Sequence, residues 1–309
     1  MPRSFLRVSG TVRIALSLFL AGCAAASPAL SVPARGRVTT YWVTTQLVRP
    51  YRHHNPKREV LVYTPPGYDS AGSVGRRYPA MYLLHGSPGN PGNFLQFGGW
   101  TDLLDQQILS KRIAPVILVI PDGNYAGERH GDSEWANSAD GQDRFEDFLI
   151  KEIIPWTDAH LRTVPEARGR LVGGVSQGAY AAVNLALRNP RVFGNVLALS
   201  GYYRVGSVGW EHTIFGDNEA LWNVNSPLYY VDAEARSPRA AAWKSLHIYL
   251  GAGKDEHRYT DETRELAGKL NALGIRPTLR ISAGKHGWGL WNALFLDGVS
   301  ILLPESGRS

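Results

Sequence analysis

Residues 170–188 read RLVGGVSQGAYAAVNLALR, and this stretch decides the fold. Its first part, Arg170 to Val175, is mostly apolar and predicts a buried strand, while Ala179 to Arg188 predicts a helix. Between them lies Gly174-Val175-Ser176-Gln177-Gly178, a Gly-x-Ser-x-Gly turn. A sharp turn from strand to helix, flanked by small residues, exposes its serine to a base. Ser176 is therefore predicted to be a nucleophile.

Strands and helices alternate on both sides of this turn. The further predicted strands of the sheet are apolar or rich in β-branched residues: Ala80–Leu84, Val116–Ile120, Val196–Leu199, Leu246–Leu250 and Thr278–Ile281. An antiparallel pair, Thr39–Val48 and Glu59–Tyr63, is predicted to open the domain. This order predicts an α/β protein with a mostly parallel central sheet and helices on both faces. With the serine turn in place, the fold class is the α/β-hydrolase fold.

The start of the chain predicts export and lipidation. Residues 1–23 combine three Arg with a short apolar run and end in Leu20-Ala21-Gly22-Cys23, which resembles the lipobox of bacterial lipoproteins. Cys23 is the only cysteine, so it has no internal disulfide partner and is the predicted lipidation site. The alternative is an ordinary signal peptide that is cleaved near Ala25. In either case the protein is expected outside the cytoplasm, and lipidation would place it at the membrane surface of the cell envelope.

The remaining chain is predicted to form a tether and one domain. Residues 24–36 are small and rich in Pro and Ala, and residues 37–305 carry the alternating strands and helices of the α/β-hydrolase domain. An aromatic insertion, residues 201–245, interrupts that alternation. Long insertions act as lids or binding loops, or they pack as a small core of their own, and both interpretations stay open.

Composition excludes several classes of function. The formal net charge of +6 falls to +3 without residues 1–23, which carry three Arg and no acidic residue, so nucleic-acid binding has little support. No cluster of Cys and His has the spacing of a metal site, and phosphate-binding glycine loops are absent from the sequence. We expect neither a metal nor a cofactor.

A serine nucleophile needs a base and an acid, which follow it along the chain in this fold. Of the four histidines after Ser176, His286 lies in a glycine-bounded loop between the last strand and the last helix, where the fold presents its base. The acid should follow the preceding strand, where Lys254-Asp255-Glu256 places two carboxylates. We expect Asp255 to orient His286, with Glu256 as the alternative.

Other residues are candidates for the oxyanion hole and for substrate contacts. The two backbone donors of the oxyanion hole are predicted to be the N–H groups of Gln177, directly after the nucleophile, and of Ser87, in the loop after the third strand. Four ring-bearing side chains are predicted to contact the substrate: His85, Trp135, Trp288 and Trp291.

These motifs together resemble a bacterial esterase family that includes esterase D, feruloyl esterases, enterochelin esterases and the antigen 85 mycolyltransferases. The resemblance covers roughly residues 37–303 and includes Tyr82-Leu83-Leu84-His85-Gly86, the serine turn, Gly253-Lys254-Asp255 and the ending Gly284-Lys285-His286-Gly287-Trp288 with Trp291. It implies the triad Ser176, Asp255 and His286. Two positions depart from the family: Gln177 stands where Met is usual, and His85 stands where the mycolyltransferase branch has Asp.

The expected activity is hydrolysis of a carboxylic ester, from the cell envelope or outside the cell, through an acyl-serine intermediate. An acyltransferase that moves the acyl group to a sugar or lipid alcohol would use the same intermediate and is the main alternative. A binding lipoprotein without catalysis is a third interpretation, but it predicts a missing triad member and none is missing.

Overall fold

The computed structural model describes residues 35–50, 56–124, 133–206 and 214–305. The strands are β1 (Arg37–Thr44), β2 (Lys57–Thr64), β3 (Ala80–Leu84), β4 (Ile117–Pro121), β5 (Arg170–Val175), β6 (Asn195–Leu199), β7 (His247–Gly253) and β8 (Thr278–Ser282). The helices of the first half are α1 (Asn93–Gln96), α2 (Trp100–Leu109), α3 (Phe145–Asp147) and α4 (Ile154–His160), with a π-helical segment, Phe148–Ile153, joining the last two. The second half contains α5 (Gln177–Arg188), α6 (Glu219–Val224), α7 (Pro227–Ala233), α8 (Pro238–Trp243), α9 (Arg258–Ala272) and α10 (Trp288–Leu302).

Within the described residues, eight strands form one sheet in the order β1-β2-β4-β3-β5-β6-β7-β8. The pairs β1–β2 and β2–β4 are antiparallel, and all other neighbours are parallel. The α/β-hydrolase prediction is therefore confirmed, including the antiparallel opening pair. The carboxyl ends of the parallel strands meet at one edge, where α/β proteins place their ligands.

Helices cover both faces of the sheet because its central strands are apolar on both faces. Along β3, Tyr82 and Leu84 join the cluster that α5 covers, while Met81 and Leu83 join the cluster under α2 and α10. All five residues of β3 are buried, as are all five of β4. Continuous apolar runs, which do not alternate in polarity, are the pattern of such doubly covered strands.

The described part of the insertion is helical, although no helix was predicted within residues 201–245. Helices α6, α7 and α8 lie there, and buried rings from this segment, including Tyr203, Phe215 and Trp243, belong to the main core cluster. The Trp243 indole donates a hydrogen bond to the carbonyl of Leu187 in α5. This packing favours a structural role for the described part, and residues 207–213 lie outside the described residues.

Among the described helices, none combines the length and the apolarity that crossing a membrane requires. The predicted signal peptide, Cys23 and nearly all of the tether lie outside the described residues.

Candidate active site

Ser176 occupies the turn between β5 and α5 in a strained conformation. Its backbone angles are φ 55° and ψ −119°, which a non-glycine residue rarely adopts. The turn has room only for glycine on both sides: a Cβ on Gly174 would lie 2.5 Å from the Gly178 carbonyl carbon, and one on Gly178 would lie 2.9 Å from the His85 carbonyl oxygen. The Ser176 N–H donates to the Leu199 carbonyl at 2.9 Å, which ties the turn to β6. The predicted nucleophile is thus presented at the carboxyl edge of the sheet.

His286 reaches this serine from a position 110 residues further along the chain. Its loop between β8 and α10 turns at Gly284 and Gly287, both of which have positive φ. The His286 Nε2 lies 2.9 Å from the Ser176 Oγ. This distance suits transfer of the hydroxyl proton to the ring.

The acid partner of His286 is Glu256, and the prediction of Asp255 is wrong in this structure. The His286 Nδ1 lies 2.7 Å from the Glu256 Oε1, whereas Asp255 is exposed. Strand β7 continues to Gly253, three residues beyond the predicted end, so the loop turns later than expected. Glu256 then folds back over Gly253, where a Cβ would lie 3.1 Å from the Glu256 Cγ. The longer side chain reaches the histidine because glycine leaves that space open.

The surroundings of Glu256 keep its carboxylate ionised. The other oxygen, Oε2, accepts hydrogen bonds from the Ser200 hydroxyl at 2.8 Å and from the Gly253 N–H. Burial by itself raises the pKa of Glu256, but the hydrogen bonds from His286, Gly253 and Ser200 outweigh burial and hold the pKa below its ordinary value. A carboxylate in this state fixes the ring orientation of His286 and stabilises its protonated form.

Three further residues surround His286 and Glu256. Tyr259 and Ser200 were not predicted from sequence, and Trp291 was predicted only as a substrate contact. The Tyr259 ring stacks on the His286 ring, with centroids 4.3 Å apart and an interplanar angle of 25°. Trp291 meets the same ring edge-on at 4.9 Å, and its indole N–H donates to the Ser200 hydroxyl at 3.0 Å. Ser200 directly follows β6. A polar residue at the carboxyl end of a parallel strand is a sequence feature that could have identified Ser200 as part of the site.

The predicted oxyanion donors belong to two segments beside Ser176. Gln177 is the first residue of α5, so its backbone N–H has no partner within the helix. The loop His85-Gly86-Ser87 lies against the nucleophile, since a Cβ on Gly86 would be 3.2 Å from the Ser176 Cβ. Ser87 lines the cleft above the nucleophile. The positions agree with the prediction, and the role of both N–H groups remains a prediction.

The His85 side chain anchors its own loop. The ring is 3% exposed, and its Nε2 accepts a hydrogen bond from the Gly123 N–H at 3.0 Å. The other nitrogen, Nδ1, therefore carries the proton and donates to the Gly86 carbonyl, also at 3.0 Å. Asp122 lies nearby, 3.7 Å from Nε2. Both ring nitrogens are engaged by the protein, but His85 is also among the residues that line the cleft, so its contact with the substrate remains a prediction.

Trp135 does not face the cleft, so the prediction that it contacts the substrate is wrong. Its side chain is 1% exposed, and the indole N–H donates to the His85 carbonyl at 3.3 Å. The ring lies directly on Gly123, where a Cβ would come within 2.6 Å of it. The tryptophan is buried because the loop after β4 folds over it, a long-range contact that the local sequence does not indicate.

The cleft above Ser176 has a volume of about 460 Å³ and is lined by both aromatic and polar residues. Trp288 and Trp291, two of the predicted substrate contacts, line one wall together with Phe94 and Phe97. Phe97 is 61% exposed and its ring lies 6.3 Å from that of Trp288, at the rim. The loop after β3 supplies polar groups to the lining of the same cleft. Over the part of the chain that the structure describes, no group of three His, Cys, Asp or Glu side chains is placed to hold a metal ion.

Comparison with known proteins finds relatives that are named as esterases. An esterase of Mycobacterium tuberculosis is 35% identical over 236 residues, which are 70% of this chain and 47% of that protein, so the chain spans about half of its length. An acetyl esterase of Caldicellulosiruptor saccharolyticus is 25% identical over 227 residues, covering 69% of this chain and 78% of that one. A solved ferulic acid esterase superposes with a TM-score of 0.75 at 21% identity, covering 87% of this chain and 98% of that one.

The profile of the family described as "Putative esterase" matches residues 53–302. That range begins before β2 and ends with α10, so it includes the sheet from its second strand onwards, the serine turn and the loops that carry Glu256 and His286. The chain therefore belongs to this esterase family, as the sequence motifs predicted.

Proposed function

We propose that this protein is a serine esterase that hydrolyses a carboxylic ester with Ser176 as nucleophile, His286 as general base and Glu256 as the orienting acid. The observation that carries the proposal is the continuous chain of hydrogen-bond contacts from Glu256 through His286 to Ser176, which opens into the cleft. Family membership supports it independently. A binding protein without catalysis would not need this arrangement.

The reaction proceeds in two halves. The Ser176 Oγ attacks the ester carbonyl while its proton passes to the His286 Nε2, and the negative oxygen of the tetrahedral intermediate is bound by the N–H groups of Gln177 and Ser87. Collapse breaks the ester C–O bond, and His286 returns the proton to the leaving alcohol. Water then attacks the acyl-serine, again losing a proton to His286, and the acid is released with Ser176 regenerated.

The lining of the cleft favours an acyl group that packs on aromatic rings. Trp288 and Phe94 both line the cleft and offer such rings. The relatives' names point to small acyl groups, since one is an acetyl esterase and another a ferulic acid esterase. We propose that the natural substrate is an ester with a small acyl group.

We propose that the predicted export signal directs this activity outside the cytoplasm. Cys23 then becomes the lipidated first residue of the mature chain and holds the enzyme at the cell envelope, where it acts on an envelope or extracellular ester. Cys23→Ser is expected to lose radiolabelled palmitate and to move from the membrane fraction to the soluble fraction. Membrane association that survives this substitution would contradict the anchor.

The test of the activity compares the wild type with Ser176→Ala on p-nitrophenyl acetate, butyrate and octanoate and on methyl ferulate. Ser110→Ala, a serine on the exposed end of α2, is the control for the loss of a hydroxyl. We expect turnover and fluorophosphonate labelling in the wild type and the control, and neither in Ser176→Ala. Folded wild type that hydrolyses none of these esters would contradict hydrolysis. Labelling with acceptor-dependent product would then indicate an acyltransferase.

A further inference from the structure

Two consecutive buried residues lie behind the proposed oxyanion hole and contact both of its halves. Glu134 and Trp135 are each 1% exposed, and both have positive φ, 50° and 52°. Non-glycine residues seldom adopt this conformation, and two in succession are held there only by their surroundings. The two side chains contact different segments: Trp135 contacts the loop after β3, and Glu134 contacts the start of α5.

Trp135 contacts the half of the hole that comes from the loop after β3. Its indole N–H donates to the His85 carbonyl at 3.3 Å, and its ring meets the His85 ring edge-on at 5.2 Å. Because a peptide unit is planar, holding the His85 carbonyl also sets the direction of the Gly86 N–H. The His85 ring in turn donates to the Gly86 carbonyl at 3.0 Å, which sets the next peptide plane. That plane carries the Ser87 N–H, the proposed donor.

Glu134 contacts the other half, at the start of α5. Its Oε1 accepts a hydrogen bond from the side-chain amide of Gln177 at 3.1 Å, and its Oε2 accepts one from the Tyr202 hydroxyl at 2.6 Å. Gln177 supplies the second proposed donor through its backbone N–H. The Tyr202 ring stacks on the ring of Tyr180 in α5, with centroids 5.1 Å apart and an interplanar angle of 7°. The carboxylate thus joins the first turn of α5 to the segment that follows β6.

We propose that Glu134 and Trp135 are positioning residues that hold the two oxyanion donors, which are 90 residues apart in sequence, at a constant separation. This inference rests on the proposed function. Neither side chain touches the substrate; Trp135 acts through His85, and Glu134 acts through Gln177. Donors that are already in place when the negative charge develops lower the barrier of the chemical step without strengthening substrate binding.

The experiment compares Trp135→Phe and Glu134→Gln with variants that make the same chemical change elsewhere. Trp243→Phe also removes a buried indole N–H that donates to a backbone carbonyl, that of Leu187. Glu146→Gln also neutralises a buried carboxylate, one that pairs with Arg188. For each variant the measurements are kcat and KM on p-nitrophenyl acetate, the inhibition constant of a trifluoromethyl ketone that forms a hemiketal with Ser176, and the melting temperature.

We expect kcat to fall about tenfold in Trp135→Phe and in Glu134→Gln while KM stays within about twofold, since only transition-state hydrogen bonds are lost. The ketone should bind about tenfold more weakly, because its hemiketal oxygen occupies the same hole. Both control variants should keep kcat within about twofold of the wild type, even where the melting temperature falls. If Trp135→Phe does not fold, kcat and ketone binding of Glu134→Gln decide whether the proposal stands.

Ketone binding that is unchanged in the site variants, or a kcat loss no greater than in the controls, would overturn the proposal and leave the esterase function standing. A folded wild type without esterase turnover would overturn both. The two failures are therefore distinguishable.

Discussion

At the scale of single residues, the site depends on which of two adjacent carboxylates faces His286. Asp255 and Glu256 follow the same strand, and both have the chemistry to orient an imidazole. The structure brings Glu256 to 2.7 Å from the ring and leaves Asp255 exposed. Side-chain reach and the position of the turn, rather than chemical type, decide between them.

Glu256→Gln and Asp255→Asn form a matched pair that tests this assignment. The amide in Glu256→Gln cannot stabilise the protonated ring and favours the wrong tautomer, so we expect kcat on p-nitrophenyl acetate to fall by about 10³ to 10⁴. Asp255→Asn removes one exposed charge and should keep kcat within about twofold. Steady-state kinetics near pH 7.5 measure both. A larger loss in Asp255→Asn than in Glu256→Gln would restore the original prediction.

At the scale of secondary-structure elements, the serine turn requires that α5 begins close to the end of β3. Gly178 is in the first turn of the helix, and a Cβ there would overlap the Leu84 carbonyl and lie 2.9 Å from the His85 carbonyl oxygen. Both neighbours are backbone atoms, which cannot rotate away as a side chain could. The second glycine of the motif is therefore explained by helix–strand packing, and Ser176, the proposed nucleophile, lies between the two glycines.

Gly178→Ala and Gly268→Ala place the same methyl group in two helices with different surroundings. Gly178→Ala must displace α5 from β3, and we expect the free energy of unfolding to fall by about 3 kcal/mol, with loss of turnover. Gly268, in α9, has nothing within 4 Å of a Cβ. Gly268→Ala should therefore raise the unfolding free energy by about 0.5 to 1 kcal/mol through helix propensity. Urea unfolding followed by circular dichroism measures both, and equal effects would contradict this account of the motif.

At the scale of the whole molecule, two apolar cores on opposite faces of the sheet bury several tyrosine hydroxyls. Burial raises the pKa of five tyrosines of the described chain above the ordinary value: Tyr63, Tyr82, Tyr203, Tyr230 and Tyr249. Hydrogen bonds to Asp105 and Asp297 raise the pKa of Tyr63 and Tyr249 further. A proton that the folded state holds more tightly than the unfolded state contributes stability below the unfolded pKa, and this contribution is lost as pH rises above it.

We therefore expect the five buried tyrosines to ionise only when the chain unfolds, above about pH 10. Absorbance at 295 nm should show a cooperative rise that coincides with the loss of circular dichroism. In denaturant, the same protein should give a single phase near pH 10. Complete titration before any loss of structure would contradict the burial of these hydroxyls.

Much of this fold can be predicted from the amino-acid sequence because the relevant signals are local. Apolar runs and helical periodicity depend on neighbours in the chain, so the strands and helix α5 were predicted to within a few residues. The serine turn and His286 were predicted from sequence because glycine spacing and position after a strand are local features too. Family membership followed from the same motifs.

Three features depend on long-range contacts and were not predicted: the carboxylate that faces His286, the burial of Trp135 and the helices of the insertion. Glu256 is selected because β7 runs three residues further than its apolar pattern indicates and because Gly253 leaves room beneath the side chain. Trp135 is buried because the Gly123 segment and the His85 loop pack on it. Each outcome depends on contacts between segments far apart in the chain, and the free energy of such contacts is determined by the folded shape rather than by the residues on either side.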